Sequence, residues 1–202
     1  MRGLYVITSD RFASPEALLN EVERALKGGA CIVQYRDKNT STDGQQKIAR
    51  KLLLLCRQYN ALLIINDNAE LALAVEANGV HLGRDDGSIK QARQLIGKDM
   101  LIGVSCYDSL QLAIQAVQDG ADYVAFGRFY PSLNKPEAVQ TSPEILKHAR
   151  QQLTVPIVAI GGITAQNGAP LIEAGADMLA VIDGVFGQAD ITKAAREITS
   201  LF

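Results

Sequence analysis

The chain has 202 residues, enough to bury the core of one α/β domain and few for two. Its 48% apolar and 21% charged residues exclude wholesale disorder, and a net charge of −2 provides no basic surface, so no nucleic-acid partner is expected. Three scattered cysteines, Cys31, Cys56 and Cys106, lack metal spacing and fit reduced thiols. With no signal-like start and no run of roughly eighteen apolar residues, a cytoplasmic protein with no membrane partner is expected.

Gly3 to Ile7 reads as a first strand ending at Thr8-Ser9-Asp10. Ser14-Pro15-Glu16 opens a helix to about Leu26, with a hydroxyl at the N-cap and proline in the first turn. Cys31 to Tyr35 is strand two, followed by Arg36-Asp37-Lys38 and a helix from about Thr42 to Tyr59. Leu62 to Ile65 and Gly79 to Leu82 are strands three and four. The first stops at Asn66-Asp67 and the second at Gly83-Arg84-Asp85-Asp86, with a short helix carrying Leu71, Leu73, Ala74 and Val75 between them. Such a unit is a parallel crossover, which brings both acid-bearing ends to one edge of the sheet. Ser88 to Ile96 is the next helix, and Leu101 to Val104 is strand five, ending at Ser105. Ser109 to Gln118 is helical, and Asp122 to Phe126 is strand six. After the irregular stretch GRFYPSLNKPEAVQ, Ser142-Pro143-Glu144 starts a helix by the same cap grammar as Ser14-Pro15-Glu16. Pro156 to Ile160 is strand seven, ending at Gly161-Gly162. A helix from about Ala165 to Ala174, strand eight from Met178 to Ile182, and a helix from Ile191 to Leu201 complete the order.

Strands thus alternate with helices at intervals of roughly 25 residues. Gly29-Ala30-Cys31, Asn78-Gly79-Val80, Gly120-Ala121-Asp122 and Gly175-Ala176-Asp177 each set a glycine at a helix end with an apolar strand after it, a recurring turn that predicts left-handed glycines. The expected fold is α/β, a (β/α)8 TIM barrel in which residues 1–202 form one domain. A doubly wound open sheet is the alternative, but no glycine-rich dinucleotide fingerprint follows strand one and no Walker sequence occurs.

In such a barrel the strand ends present Gln34, Arg36, Lys38, Asn66, Asp67, Asp86, Ser105, Ser132, Asn134, Lys135, Gly161, Gly162 and Ile182 to Gly184 at one face. Two carboxylates from neighbouring strands suit Mg²⁺, which prefers oxygen ligands and shares its shell with water and phosphate. Arg36, Lys38 and Lys135 are placed to neutralise phosphate oxygens, and metal plus three cations suits a diphosphate better than a monoester. The glycines after strands seven and eight suit a second, backbone-lined phosphate site. Plainer roles compete: Asp67 as a helix cap, Asp86 as a loop acid, Ser105 as a strand end, Gly161-Gly162 as a tight turn. His81 is expected to be buried and hydrogen-bonded, His148 on a helix surface, and Cys106 inert.

Gln34-Tyr35-Arg36-Asp37-Lys38, Asn66-Asp67, Gly79 to Gly83 with Asp85-Asp86, Gly103-Val104-Ser105, Gly127 to Lys135, and Ile160 to Ile163 together resemble the motifs of the thiamine phosphate synthase family, in family order along nearly the whole chain. The resemblance implies transfer of hydroxymethylpyrimidine from its diphosphate to thiazole (or carboxythiazole) ethyl phosphate, giving thiamine phosphate and pyrophosphate. It implies Asp67 and Asp86 as Mg²⁺ ligands, and Arg36, Lys38, Asn66 and Lys135 on the diphosphate. Gln34 and Ser105 fall beside the pyrimidine, and Ser132, Asn134, Gly162, Ile182 and Asp183 around the thiazole phosphate. Tyr35 and Asp37 lie within the first motif and are expected at the substrate; Arg36, Lys38, Ser105 and Lys135 are the expected catalytic set. The chain departs from the family in reading Ser132-Leu133-Asn134-Lys135 where two threonines often precede the lysine, in Arg84 for a usual glutamine, and in Asp183 for a common serine. A thiazole tautomerase, a phosphosugar isomerase or epimerase, and a precursor-binding barrel without turnover are the competing readings. The Asn66-Asp67 pair and the basic triplet argue against the first two.

Overall fold

The computed structural model describes residues 1–83, 86–131 and 140–202. Eight parallel strands close on themselves in sequence order: β1 Gly3–Ile7, β2 Ile32–Tyr35, β3 Leu62–Asn66, β4 Gly79–Leu82, β5 Leu101–Tyr107, β6 Tyr123–Phe126, β7 Ile157–Ile160 and β8 Met178–Val181. Closure is made by β1 against β8, with Gly3 opposite Met178 and Val6 opposite Val181. The barrel expectation holds, and the open-sheet alternative falls because neither β1 nor β8 is left as an edge. Helices α1 Pro15–Lys27, α2 Thr42–Gln58, α3 Ala69–Val75, α4 Ile89–Ile96, α5 Leu110–Gln118, α6 Glu144–Gln152, α7 Ala169–Glu173, α8 Asp183–Phe186 and α9 Ile191–Thr199 complete the order. Among the described residues, no helix is long and apolar enough to cross a membrane.

Both faces of the strands are buried, and strand alternation divides the core in two. Tyr5, Ile7, Ile32, Ile64, Tyr123, Val158 and Met178 fill the barrel. Their neighbours Leu4, Val6, Val33, Leu63, Ile65, Val124 and Leu179 pack against apolar helix stripes such as Leu18, Val22, Ala25 and Leu26 of α1. Two residues further along, towards the C-terminal ends, Ile32 gives way to Gln34, Ile64 to Asn66 and Gly103 to Ser105. The interior therefore turns polar towards one face of the barrel.

Several local expectations are corrected. Ser14 caps α1, its Oγ accepting from the Ala17 N–H at 3.2 Å, but Ser142 does not cap α6; its Oγ accepts from the Glu144 N–H at 3.3 Å, within the turn that precedes the helix. The recurring turn has positive φ at Gly29, Gly120 and Gly175, whereas before Asn78-Gly79-Val80 it is Glu76 that is left-handed, at φ 57°, and Gly79 lies inside β4. β5 runs three residues past Val104, through a bulge between Ser105 and Tyr107. The helix expected from Ala165 begins only at Ala169, because Asn167 draws the chain into a turn: its Oδ1 accepts from the Thr164 N–H at 2.8 Å and its Nδ2 donates to the Gly162 carbonyl at 3.0 Å. The one-turn helix α8 after β8 was not expected.

Candidate active site

The two acids meet. Asp67 follows β3 with φ at 64°, its N–H bonded to the His81 carbonyl at 2.8 Å. Asn68 caps α3, accepting from the Leu71 N–H at 2.8 Å, so Asp67 is released from the capping role that competed for it. Left-handed backbone at a non-glycine residue is unfavourable, so the fold holds Asp67 there against its own preference. Asp86 reaches back towards β4, its Oδ2 accepting from the Gly83 N–H at 2.7 Å. Burial pushes the Asp67 carboxyl up to about 6, helped by a hydrogen bond to Asp86 and by its like charge, while Asn66 and Lys38 pull the other way. Two facing carboxylates, Asp67 half-buried and Asp86 exposed, favour whatever cation can bridge them. Among the described residues no group of three or more His, Cys, Asp and Glu side chains gathers; a pair of acids suits an ion that completes its shell with water and substrate oxygens.

The cations are set by the end of β1. Thr8, fully buried, accepts from the Arg36 N–H at 2.8 Å and donates to the Arg36 carbonyl at 3.0 Å. Asp10 then approaches the Arg36 guanidinium at 3.5 Å and accepts from the Lys38 N–H at 3.1 Å. Lys38 is exposed and acts on Asp67 through its charge. Tyr35 points into the outer core and donates to Asp37 Oδ2 at 2.9 Å, while Asp37 Oδ1 accepts from the Asn39 and Thr40 N–H groups. Neither side chain lines the central cavity; they build the loop that carries Arg36 and Lys38. Ser132, Asn134 and Lys135, with Arg84 and Asp85, lie outside the described residues.

The structure brings Gln34, Arg36, Asn66 and Ser105 together around a cavity at the barrel mouth, with His81 and Tyr107. His81 is buried and hydrogen-bonded, as expected. Arg128 also lines the cavity and was not singled out from sequence. Its only signal was a basic residue just past a strand end, the position of Arg36 after β2.

A second cavity lies after β7 and β8, lined by Gly161, Gly162, Ile163, Ile182, Asp183 and Gly184. Gly162 has φ at 63°, and a Cβ there would come within 2.3 Å of the Pro131 carbonyl oxygen; a Cβ on Gly184 would come within 2.2 Å of the Ile163 carbonyl oxygen. Only bare backbone fits on both sides. The Ile182 carbonyl accepts from the Val185 and Phe186 N–H groups, so the amides of Asp183 and Gly184 precede the first internal donors of α8. Amides so placed can donate to an anion. Asn167 shapes the cavity rim through Gly162 and Thr164, and Tyr130 fixes Asn167 by donating to its carbonyl at 2.9 Å.

The model of the family described as thiamine monophosphate synthase matches residues 4–185. The chain belongs to the thiamine monophosphate synthase family. Members of the thiamine monophosphate synthase family are transferases, and the chain is an enzyme of that kind. It is 51% identical to the thiamine-phosphate synthase of Nitrosococcus oceani over 96% of this chain and 90% of that one. It is 49% identical to the thiamine-phosphate synthase of Thiobacillus denitrificans over 99% and 94%. Among solved structures, a thiamine phosphate pyrophosphorylase from Pyrococcus furiosus superposes with TM-score 0.90 at 37% identity, covering 98% of this chain and 94% of that one.

Proposed function

We propose that the chain transfers hydroxymethylpyrimidine from its diphosphate to a thiazole ethyl phosphate, releasing pyrophosphate and forming thiamine phosphate. One observation carries the reading: a pair of facing carboxylates stands at the same barrel face as a separate, glycine-lined cavity. One phosphorylated substrate needs only one such site. Mg²⁺ fits the acid pair, which is all oxygen; Asp67 and Asp86 would hold it, and the ion supplies positive charge beside the departing diphosphate. Arg36, Lys38 and Asn66, with Lys135, hold the diphosphate oxygens. Gln34 and Ser105 hold the pyrimidine, and the amides of Gly162, Ile182 and Asp183, with Ser132 and Asn134, hold the thiazole phosphate. Tyr35 and Asp37 act one step back, by holding the loop of Arg36 and Lys38.

In the reaction the bond from the methylene carbon to the diphosphate oxygen breaks, and its electron pair leaves with pyrophosphate. The thiazole nitrogen lone pair then forms the new bond to carbon. No proton changes hands, so neutralising, holding and aligning groups suffice, as this cavity provides. Incubating the purified chain with both substrates should give thiamine phosphate and pyrophosphate in equal amounts with Mg²⁺, and none in EDTA. Binding of both substrates with metal present but no product would favour a binding barrel, and undiminished product in EDTA would remove the metal.

A further inference from the structure

Five polar side chains from five strands form one hydrogen-bonded chain across the floor of the cavity at the barrel mouth, with Tyr5, Gln34, His81 and Ser105 lining it. Gln34 Nε2 donates to Tyr5 Oη at 2.7 Å, and Tyr5 Oη lies 3.0 Å from Tyr123 Oη. Tyr123 Oη lies 3.2 Å from His81 Nδ1, and His81 Nε2 lies 2.9 Å from Ser105 Oγ. All but Ser105 are at most 8% exposed. The chain needs room that one residue provides: a Cβ on Gly103 would lie 1.9 Å from the Tyr123 ring. Only glycine at that place in β5 lets the ring pass beneath it.

Burial keeps both phenols neutral, so each hydroxyl has one hydrogen to give. Tyr5 accepts from Gln34 and gives its own hydrogen to Tyr123. Tyr123 then donates to His81 Nδ1, which leaves the proton of the neutral ring on Nε2, where it is donated to Ser105 Oγ. The Ser105 hydrogen is left to face the cavity, and so is the Gln34 carbonyl oxygen. Reversing any one bond reverses all of them, since each hydroxyl and the neutral ring has one hydrogen to give.

We infer that Tyr5, Tyr123 and His81 are positioning residues that set Ser105 as a hydrogen-bond donor and Gln34 as an acceptor, selecting a pyrimidine with an amino substituent over its oxo counterpart. The inference rests on the pyrimidine-diphosphate reading above. An amino group gives hydrogens to the Gln34 oxygen while a ring nitrogen accepts from Ser105. An oxo group sets oxygen against oxygen at Gln34 and leaves two acceptors unmatched. Positive charge that spreads onto the amino group as pyrophosphate departs strengthens its bond to Gln34.

The test begins on the unmodified, ligand-free protein labelled with ¹⁵N-histidine. The chain has two histidines, and the spectrum of His148→Gln assigns His81. The expected state is a neutral ring with its proton on Nε2; a proton on Nδ1 overturns the inference. Affinities for the amino and oxo pyrimidine diphosphates are then measured without the thiazole partner. The unmodified chain should prefer the amino form about tenfold or more, and Tyr5→Phe and Tyr123→Phe should each cut that preference severalfold with thiazole phosphate affinity unchanged. In a Ser105→Ala background, Tyr123→Phe should add little to the loss in kcat; an equal loss in both backgrounds, or an unaltered preference in both single variants, overturns the inference. Should Tyr123→Phe fail to melt cooperatively, Tyr5→Phe and the His81 tautomer decide. A chain that makes no thiamine phosphate defeats the parent reading, whereas the tautomer bears on this one alone.

Discussion

The two ends of the barrel use the same residue types to opposite effect. At the N-terminal end, Asp122 Oδ2 accepts from the Ile102 N–H at 2.7 Å and pairs with Arg93, which also donates to the carbonyls of Gly97, Met100 and Gly120. Asp177 repeats this with the Ile157 N–H at 2.8 Å and Arg150, and Asn78 does a neutral version with the Leu63 N–H at 2.8 Å. Each ties the turn after a helix to the strand beside it. At the C-terminal end Asp67 and Asp86 face each other instead, and Asp67 is pushed up to about 6. An acid whose partners come from the fold stabilises it; an acid whose neighbour is another acid raises the energy of the folded chain until a cation arrives.

The largest effect expected from breaking this contrast is on rate. Asp67→Asn keeps the left-handed backbone, which asparagine tolerates, and removes only the charge. Turnover at saturating Mg²⁺ should fall by roughly a hundredfold or more, while the melting temperature in EDTA should hold or rise. A near-normal rate would sink the metal role. The opposite pattern is expected at the other end. Asp177→Ala leaves the Ile157 N–H and the Arg150 guanidinium short of a partner and should cost about 1–3 kcal/mol in urea unfolding, with kcat per folded molecule unchanged. If kcat fell as far as stability, the two ends would not be separable. A smaller change is expected from Asp10→Asn, which loosens the Arg36 guanidinium at 3.5 Å: KM for the pyrimidine diphosphate should rise severalfold, with KM for the thiazole phosphate steady.

The fold was legible because hydrophobic runs and glycine-ended helices repeat along the whole chain, and a parallel crossover alone places Asp67 and Asp86 on one face. What escaped depends on contacts between distant strands. That Asn68 rather than Asp67 caps α3 is decided by backbone angles at a single turn. The late start of α7 comes from an Asn167 side chain that helical periodicity does not register. Tyr5 and Tyr123 read as ordinary strand residues, since a buried phenol announces its partner only once the barrel closes. The Gly103 of the Gly-Val-Ser motif could be matched to a family, but the ring it makes room for arrives from β6.

The contrast is also sharpened by pH. Well below pH 3.8 the Asp67 carboxyl is protonated in folded and unfolded chains alike, and well above pH 6 it is ionised in both. Between the two, with the ordinary value 3.8 raised to about 6, the folded chain keeps a proton that the unfolded chain has released. The Asp67 contribution therefore makes stability fall as pH rises through that window. Other carboxylates titrate there too, so the quantity to read is the difference between the unmodified chain and Asp67→Asn in urea unfolding without metal. That difference should shrink as pH drops from 6.5 to 4, because the protonated acid repels Asp86 no more than the amide does. Adding Mg²⁺ at pH 6.5 should raise the stability of the unmodified chain and much less that of Asp67→Asn, since only the former offers two carboxylates to the ion. Equal gains from Mg²⁺ in both proteins would mean that the acid pair is not where the ion binds.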